Sequence, residues 1–177
     1  MSKPKLATVW LDGCSGCHMS FLDTDERLLD VLAAVELVYS PLVDHKEYPE
    51  EVDIALIEGA VASVEDVAKI KKVRAHTKIL VAMGDCAVNS NVPSMRNPFG
   101  TKAVLHRGYI ENAATHPQVP CEVVPKLLEC AVPIHEVVKV DVFIQGCPPS
   151  ADTLFFALTE LLAGRTPELA ALTRFGA

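Results

Sequence analysis

Four of the six cysteines, Cys14, Cys17, Cys86 and Cys147, come just after strand-like segments. Four thiols gathered in one place can do only a narrow range of chemistry. Thiolate is a soft ligand that selects iron–sulfur clusters, zinc or copper(I). Cys14 and Cys17 form a Cys-x-x-Cys pair, whereas Cys86 and Cys147 stand alone. Structural zinc more often takes two close pairs, while a cubane gives each iron one thiolate and accepts scattered ligands. Taken by itself, Cys-x-x-Cys between a strand and a helix serves equally as a redox dithiol of the thioredoxin kind. Cys86 and Cys147 at the same place favour a cluster. Cys121 and Cys130 lie away from strand ends and are expected as small buried apolar residues.

The elements that must position these thiols alternate between strand-like and amphipathic helical runs. That is the pattern of a doubly wound, mainly parallel α/β sheet, read here as a single domain over 1–177. Strands are expected at 6–11, 36–39, 53–58, 78–83 and 139–144. Ser20 is expected to cap a helix to about 35, with Phe21, Leu28, Leu29, Leu32 and Val35 on one face. Ser63 and Asp66 make the same capping pattern for a second helix. Ser150, after Pro148 and Pro149, opens the last, whose stripe is Leu154, Phe155, Leu158, Leu161 and Leu162. Between them, an irregular proline-rich insertion at about 87–137 holds six of the twelve prolines. It is expected to be ordered and to contact something.

Open parallel sheets bind ligands outside the carboxyl ends of their strands. The four cysteines and Glu58-Gly59-Ala60 should all reach that edge. Helices starting after Cys17 and Cys147 would turn positive dipole ends toward an anionic cluster. Glycines 13, 16, 59, 84 and 146 would admit close backbone approach. Glu58 at this edge is a candidate proton relay. His18 is a candidate contact to a cluster sulfur or a partner subunit, or else an ordinary helix-start side chain.

A formal net charge of −7 argues against nucleic acid or an anionic membrane as partner. Eleven acidic residues against two basic ones lie between Asp23 and Glu58, which reads as a solvated face. No apolar run is long enough for a membrane span, and the first ten residues lack a secretory leader. A cytoplasmic location follows as the expectation, with free or metal-bound thiols rather than disulfides. There is no Gly-x-Gly-x-x-Gly loop for NAD.

Together, Cys14-Ser-Gly-Cys17, Glu58-Gly59-Ala60, Gly84-Asp85-Cys86 and Gly146-Cys147-Pro148-Pro149 resemble the small subunit of nickel–iron hydrogenases, over essentially the whole chain. Asn91 to Asn97 and the run from His135 to Pro149 resemble the soluble NAD-reducing (bidirectional) branch in particular. The resemblance implies a flavodoxin-like fold with one proximal [4Fe–4S] cluster on the four cysteines. It implies a hydrogenase large subunit carrying the nickel–iron centre, and a diaphorase module with further clusters, FMN and NAD. Larger family members add a C-terminal domain with two more clusters, so one cluster is expected here. Where many small subunits place a Glu soon after the Cys-x-x-Cys, this chain has His18-Met19-Ser20.

Two other readings stand beside this one. The first is the cluster-bearing subunit of a quinone reductase, like that of respiratory NADH dehydrogenase, whose first loop has adjacent cysteines instead of a spaced pair. The second is a flavin or dithiol protein, since sheets of this kind bind FMN at the same edge. The sequence leaves room for a second, loosely held FMN. The chain has no complete active site of its own, so its cluster edge is expected to face a partner. Met95, Arg96, Phe99 and Tyr109 are the candidate contacts.

Overall fold

The computed structural model describes residues 3–173. In chain order the elements are β1 (Lys5–Trp10), α1 (Gly16–Leu22), α2 (Arg27–Ala34), β2 (Glu36–Tyr39), β3 (Val52–Glu58), β4 (Val61–Ser63) and α3 (Val64–Ala75). There follow β5 (Thr77–Met83), α4 (Asp85–Asn89), α5 (Asn91–Ser94), α6 (Thr101–His106), β6 (Leu127–Val132), β7 (Val142–Ile144) and α7 (Ala151–Leu162). Five strands pair in parallel in the order β2-β1-β3-β5-β7, the order of a flavodoxin-like doubly wound sheet.

Strand alternation builds a core on each face of this sheet. Leu6, Ile54, Leu56, Val81 and Met83 point to one side, where Phe21, Val31, Leu154 and Leu158 cover them. Ala7, Val9, Ala55, Ile57, Leu80 and Ala82 point to the other, against Ile70, Val73 and Ile134. Burial on both faces explains why β3 reads as a nearly unbroken apolar run. α3 opens on a complete capping box: the Ser63 hydroxyl accepts the Asp66 N–H at 3.1 Å and Asp66 accepts the Ser63 N–H at 2.9 Å.

Three local expectations are corrected. The segment after the cysteine pair is two helices, with Asp25 in the left-handed region (φ 58°) at the break. Ser20 lies inside α1 and caps nothing; its hydroxyl donates to the Pro149 carbonyl, far away in sequence. On α2 the buried residue is Val31, while Leu29 and Leu32 are exposed.

The insertion is more regular than expected. Besides its short helices, β6 pairs antiparallel with β4 in a second, two-stranded sheet. Asn97 works there like an extra strand residue, donating to the Ala131 carbonyl and accepting the Ala131 N–H, both at 2.8 Å. Arg96 donates to the Ala62 and Glu129 carbonyls and to the Thr101 hydroxyl. It packs the insertion onto its own chain, so it is corrected from partner contact to internal tie.

Candidate functional site

Three loops at the carboxyl edge carry the four cysteines, and backbone hydrogen bonds sew neighbouring loops together. After β1, the Leu11 N–H donates to the Glu58 carbonyl at 2.9 Å, and Asp12 and Ala60 exchange two further bonds. Gly59 (φ 94°) allows that approach, because a Cβ there would lie 2.8 Å from Leu11 backbone. After β5, the Gly84 N–H donates to Ile144 and the Asp85 N–H to Gly146. The Asp85 carboxylate returns the contact by accepting the Gly146 N–H at 2.8 Å. The loop bearing Cys86 is thus clamped to the loop bearing Cys147.

Cys17 and Cys86 are buried, at 7% and 8% exposure, while Cys14 and Cys147 are exposed. Two thiols form a floor and two a rim. Cys17 is close enough to feel charge on the other three, and Cys86 to feel charge on Cys14 and Cys147. Burial pushes the Cys17 thiol far up, and negative charge on Glu58, Cys86, Cys14 and Cys147 adds to it. Burial also raises Cys86, again with Cys14, Cys147 and Glu58 contributing, against a lowering contact from the Val92 N–H. Positive charge nearby would favour the thiolate forms of Cys17 and Cys86. The irons of an iron–sulfur cluster would supply such charge. Among the described residues, no group of His, Cys, Asp or Glu is arranged to hold a single metal ion.

Gly84 is fitted to Cys17. Its φ is +84°, and a Cβ there would fall 2.1 Å from the Cys17 sulfur. Cys17 lies within the first turn of α1, rather than ahead of it as expected; Cys86 lies in the first turn of α4, and α7, after Cys147, opens on the Ser150 cap as expected.

Glu58 is buried at 2% exposure. Its carboxylate accepts the N–H groups of Cys17 at 3.4 Å and His18 at 3.1 Å, and also contacts the His18 ring. Trp10 Nε1 donates to His18 Nδ1 at 2.6 Å. His18 is itself buried at 1% exposure, so it is not a surface contact for a partner. Its sequence neighbour Cys17 is the only sign of this role, and Trp10 carried none.

Cys121 and Cys130 are exposed, which corrects the buried reading. Cys121 lines a cavity of about 650 Å³ with Tyr109, Lys102 and Lys126; none of the four edge cysteines lines it. Of the expected partner contacts, Met95, Phe99 and Tyr109 are exposed, as is Val92 beside them. No helix among the described residues is long and apolar enough to cross a membrane.

A family model described as NADH ubiquinone oxidoreductase, 20 Kd subunit, matches residues 14–161, a span containing all four edge cysteines. The chain is 42% identical over 172 residues to the NAD-reducing hydrogenase HoxS subunit delta of Cupriavidus necator, covering 94% of this chain and 82% of that protein. It is 37% identical over 167 residues to a subunit of the vhu F420-non-reducing hydrogenase of Methanocaldococcus jannaschii, covering 93% of this chain but 58% of the relative. The crystal structure of an NAD+-reducing [NiFe]-hydrogenase in the H2-reduced state contains a chain that superposes with a TM-score of 0.93 at 42% identity. The match covers 98% of this chain and 99% of that one. The [NiFeSe] hydrogenase of Desulfovibrio vulgaris Hildenborough, at 18% identity and a TM-score of 0.63, shares the fold over 60% of its chain.

Proposed function

This chain belongs to the NADH ubiquinone oxidoreductase 20 Kd subunit family, and we propose that it is the electron-transfer small subunit of a soluble NAD-reducing [NiFe]-hydrogenase. In this reading Cys14, Cys17, Cys86 and Cys147 hold one [4Fe–4S] cluster. The cluster passes electrons between the nickel–iron site of a large subunit and a diaphorase module bearing FMN and NAD.

One observation carries the reading. Four thiols from three loops meet at the carboxyl edge of a flavodoxin-like sheet, two buried beneath and two exposed above. A cluster seated there has a dry floor and an open rim, the arrangement an electron carrier needs against a partner. Exposed Val92, Met95 and Phe99 follow closely on Cys86 and suit such an interface. We include Glu58, buried and in contact with His18, as a proton relay beside the cluster. The spaced cysteine pair and the hydrogenase relatives favour this over a quinone-reductase role. The cytoplasm is the compartment in which such thiols stay reduced.

The division of labour is tested by measuring H2-dependent dye reduction. The isolated chain should show none, and adding its large subunit should restore it. Substantial activity in the isolated chain would contradict the proposal.

A further inference from the structure

Among the described residues, one side chain donates a hydrogen bond to a sulfur of the four edge cysteines. Asn91 Nδ2 lies 3.4 Å from Cys147 Sγ, across 56 positions of sequence. The nitrogen end of the amide is the favourable one, because its oxygen would meet a thiolate lone pair. Asn91 is held for this. Its N–H donates to Asn89 Oδ1 at 3.0 Å, and its carbonyl accepts the Ser94 hydroxyl at 2.8 Å. Ser90 before it is buried at 1% exposure and in the left-handed region (φ 65°), a costly conformation for a residue with a side chain. That bend turns the chain from α4 into α5 and carries Asn91 toward Cys147. The next residue, Val92, turns its N–H to Cys86.

We propose that Asn91 raises the reduction potential of the cluster through its N–H···S bond to Cys147. The proposal rests on the cluster reading above. Reducing a cubane adds one electron, and the added charge spreads onto the sulfurs. A donor at a ligand sulfur therefore stabilises the reduced form more than the oxidised one. The other sulfur-facing donors, Gly16 N–H at 3.4 Å from Cys14 and Val92 N–H, are backbone groups that side-chain replacement leaves in place. Asn91 is the donor that a point substitution removes. It is a positioning and tuning residue, not a catalytic one.

The test is an EPR-monitored redox titration of the assembled complex carrying Asn91→Leu, with Asn91→Ala beside it. Both should keep wild-type iron and sulfide and titrate at a more negative potential. At a fixed applied potential the reduced-to-oxidised ratio should fall about threefold to tenfold, tenfold being about 59 mV for a one-electron couple. An exchangeable deuteron coupled to the wild-type cluster should also vanish from the ENDOR spectrum of both. If Asn91→Leu loses its cluster, Asn91→Ala decides. Unshifted potentials, or loss of iron in both variants, would overturn the proposal. A wild-type complex with no cluster signal from this chain would instead defeat the parent reading.

Discussion

The carboxylate of Asp85 accepts the Gly146 N–H at 2.8 Å while the Asp85 N–H donates to the Gly146 carbonyl at 2.9 Å. Asp85 precedes Cys86 and Gly146 precedes Cys147, so this reciprocal pair fixes the separation of two thiols that are 61 residues apart. Asp85→Ala leaves the Gly146 N–H without its partner and should cost about 1–3 kcal/mol. Asp85→Asn keeps an accepting oxygen and should retain most of the stability. Denaturant midpoints of the two variants check this, and equal losses would contradict the role of the carboxylate as acceptor.

Gly84 makes a sharper demand. An alanine Cβ would meet the Cys17 sulfur at 2.1 Å and would force a side chain onto a φ of +84°. The backbone term alone is about 1–3 kcal/mol. Gly84→Ala should therefore displace Cys17 and strip iron from the chain while far-UV dichroism stays near wild type. Full iron content in this variant would show that the loop has more freedom than the geometry allows.

What the residues disclosed in advance was whatever depends on local pattern. The Ser63–Asp66 capping box, the buried run of β3 and the placing of four cysteines after strands all follow from spacing within a few residues. The misses share a different cause. Ser20 has the chemistry of a cap, but its hydroxyl is taken by Pro149, a partner 129 positions away. Arg96 has the look of a surface contact, yet the two carbonyls it serves lie 33 and 34 positions distant. β4 is three residues long, too short for any periodicity to announce. Cys130 follows its strand's outward face rather than the apolar preference of its type. At the edge site, the gathering of the four cysteines and Glu58 was legible because each lies at or just after the end of a strand. The donors to their sulfurs were not, since any amide can supply one.

Away from the site, Asp141 ties β7 to β5 and makes stability depend on pH. Burial pushes its carboxyl up, but the Leu80 N–H at 2.9 Å and the Arg74 guanidinium outweigh burial and hold it below the ordinary 3.8. The folded chain thus binds this proton less readily than the unfolded one. The stabilisation is complete above the ordinary carboxylate range and fades as pH falls through the lower folded value. Asp141→Asn should be about 1–2 kcal/mol less stable at neutral pH. That gap should close as urea midpoints are followed down to about pH 3. A gap that widened on acidification would reverse the sign and contradict the assignment.

That Cys14, Cys17, Cys86 and Cys147 hold one cubane, as proposed, is tested most directly by counting iron and acid-labile sulfide on the anaerobically purified chain. About four of each are expected per chain. Cys14→Ser, Cys17→Ser, Cys86→Ser and Cys147→Ser should each lower both counts, because a serine oxygen is a harder and poorer ligand to iron than thiolate. Cys121→Ala and Cys130→Ala, at exposed positions, should leave both counts intact and change stability by no more than about 0.5 kcal/mol. Zinc in place of iron, iron enough for two clusters, or full counts in the Cys86→Ser chain would contradict the assignment of one cubane to these four thiols.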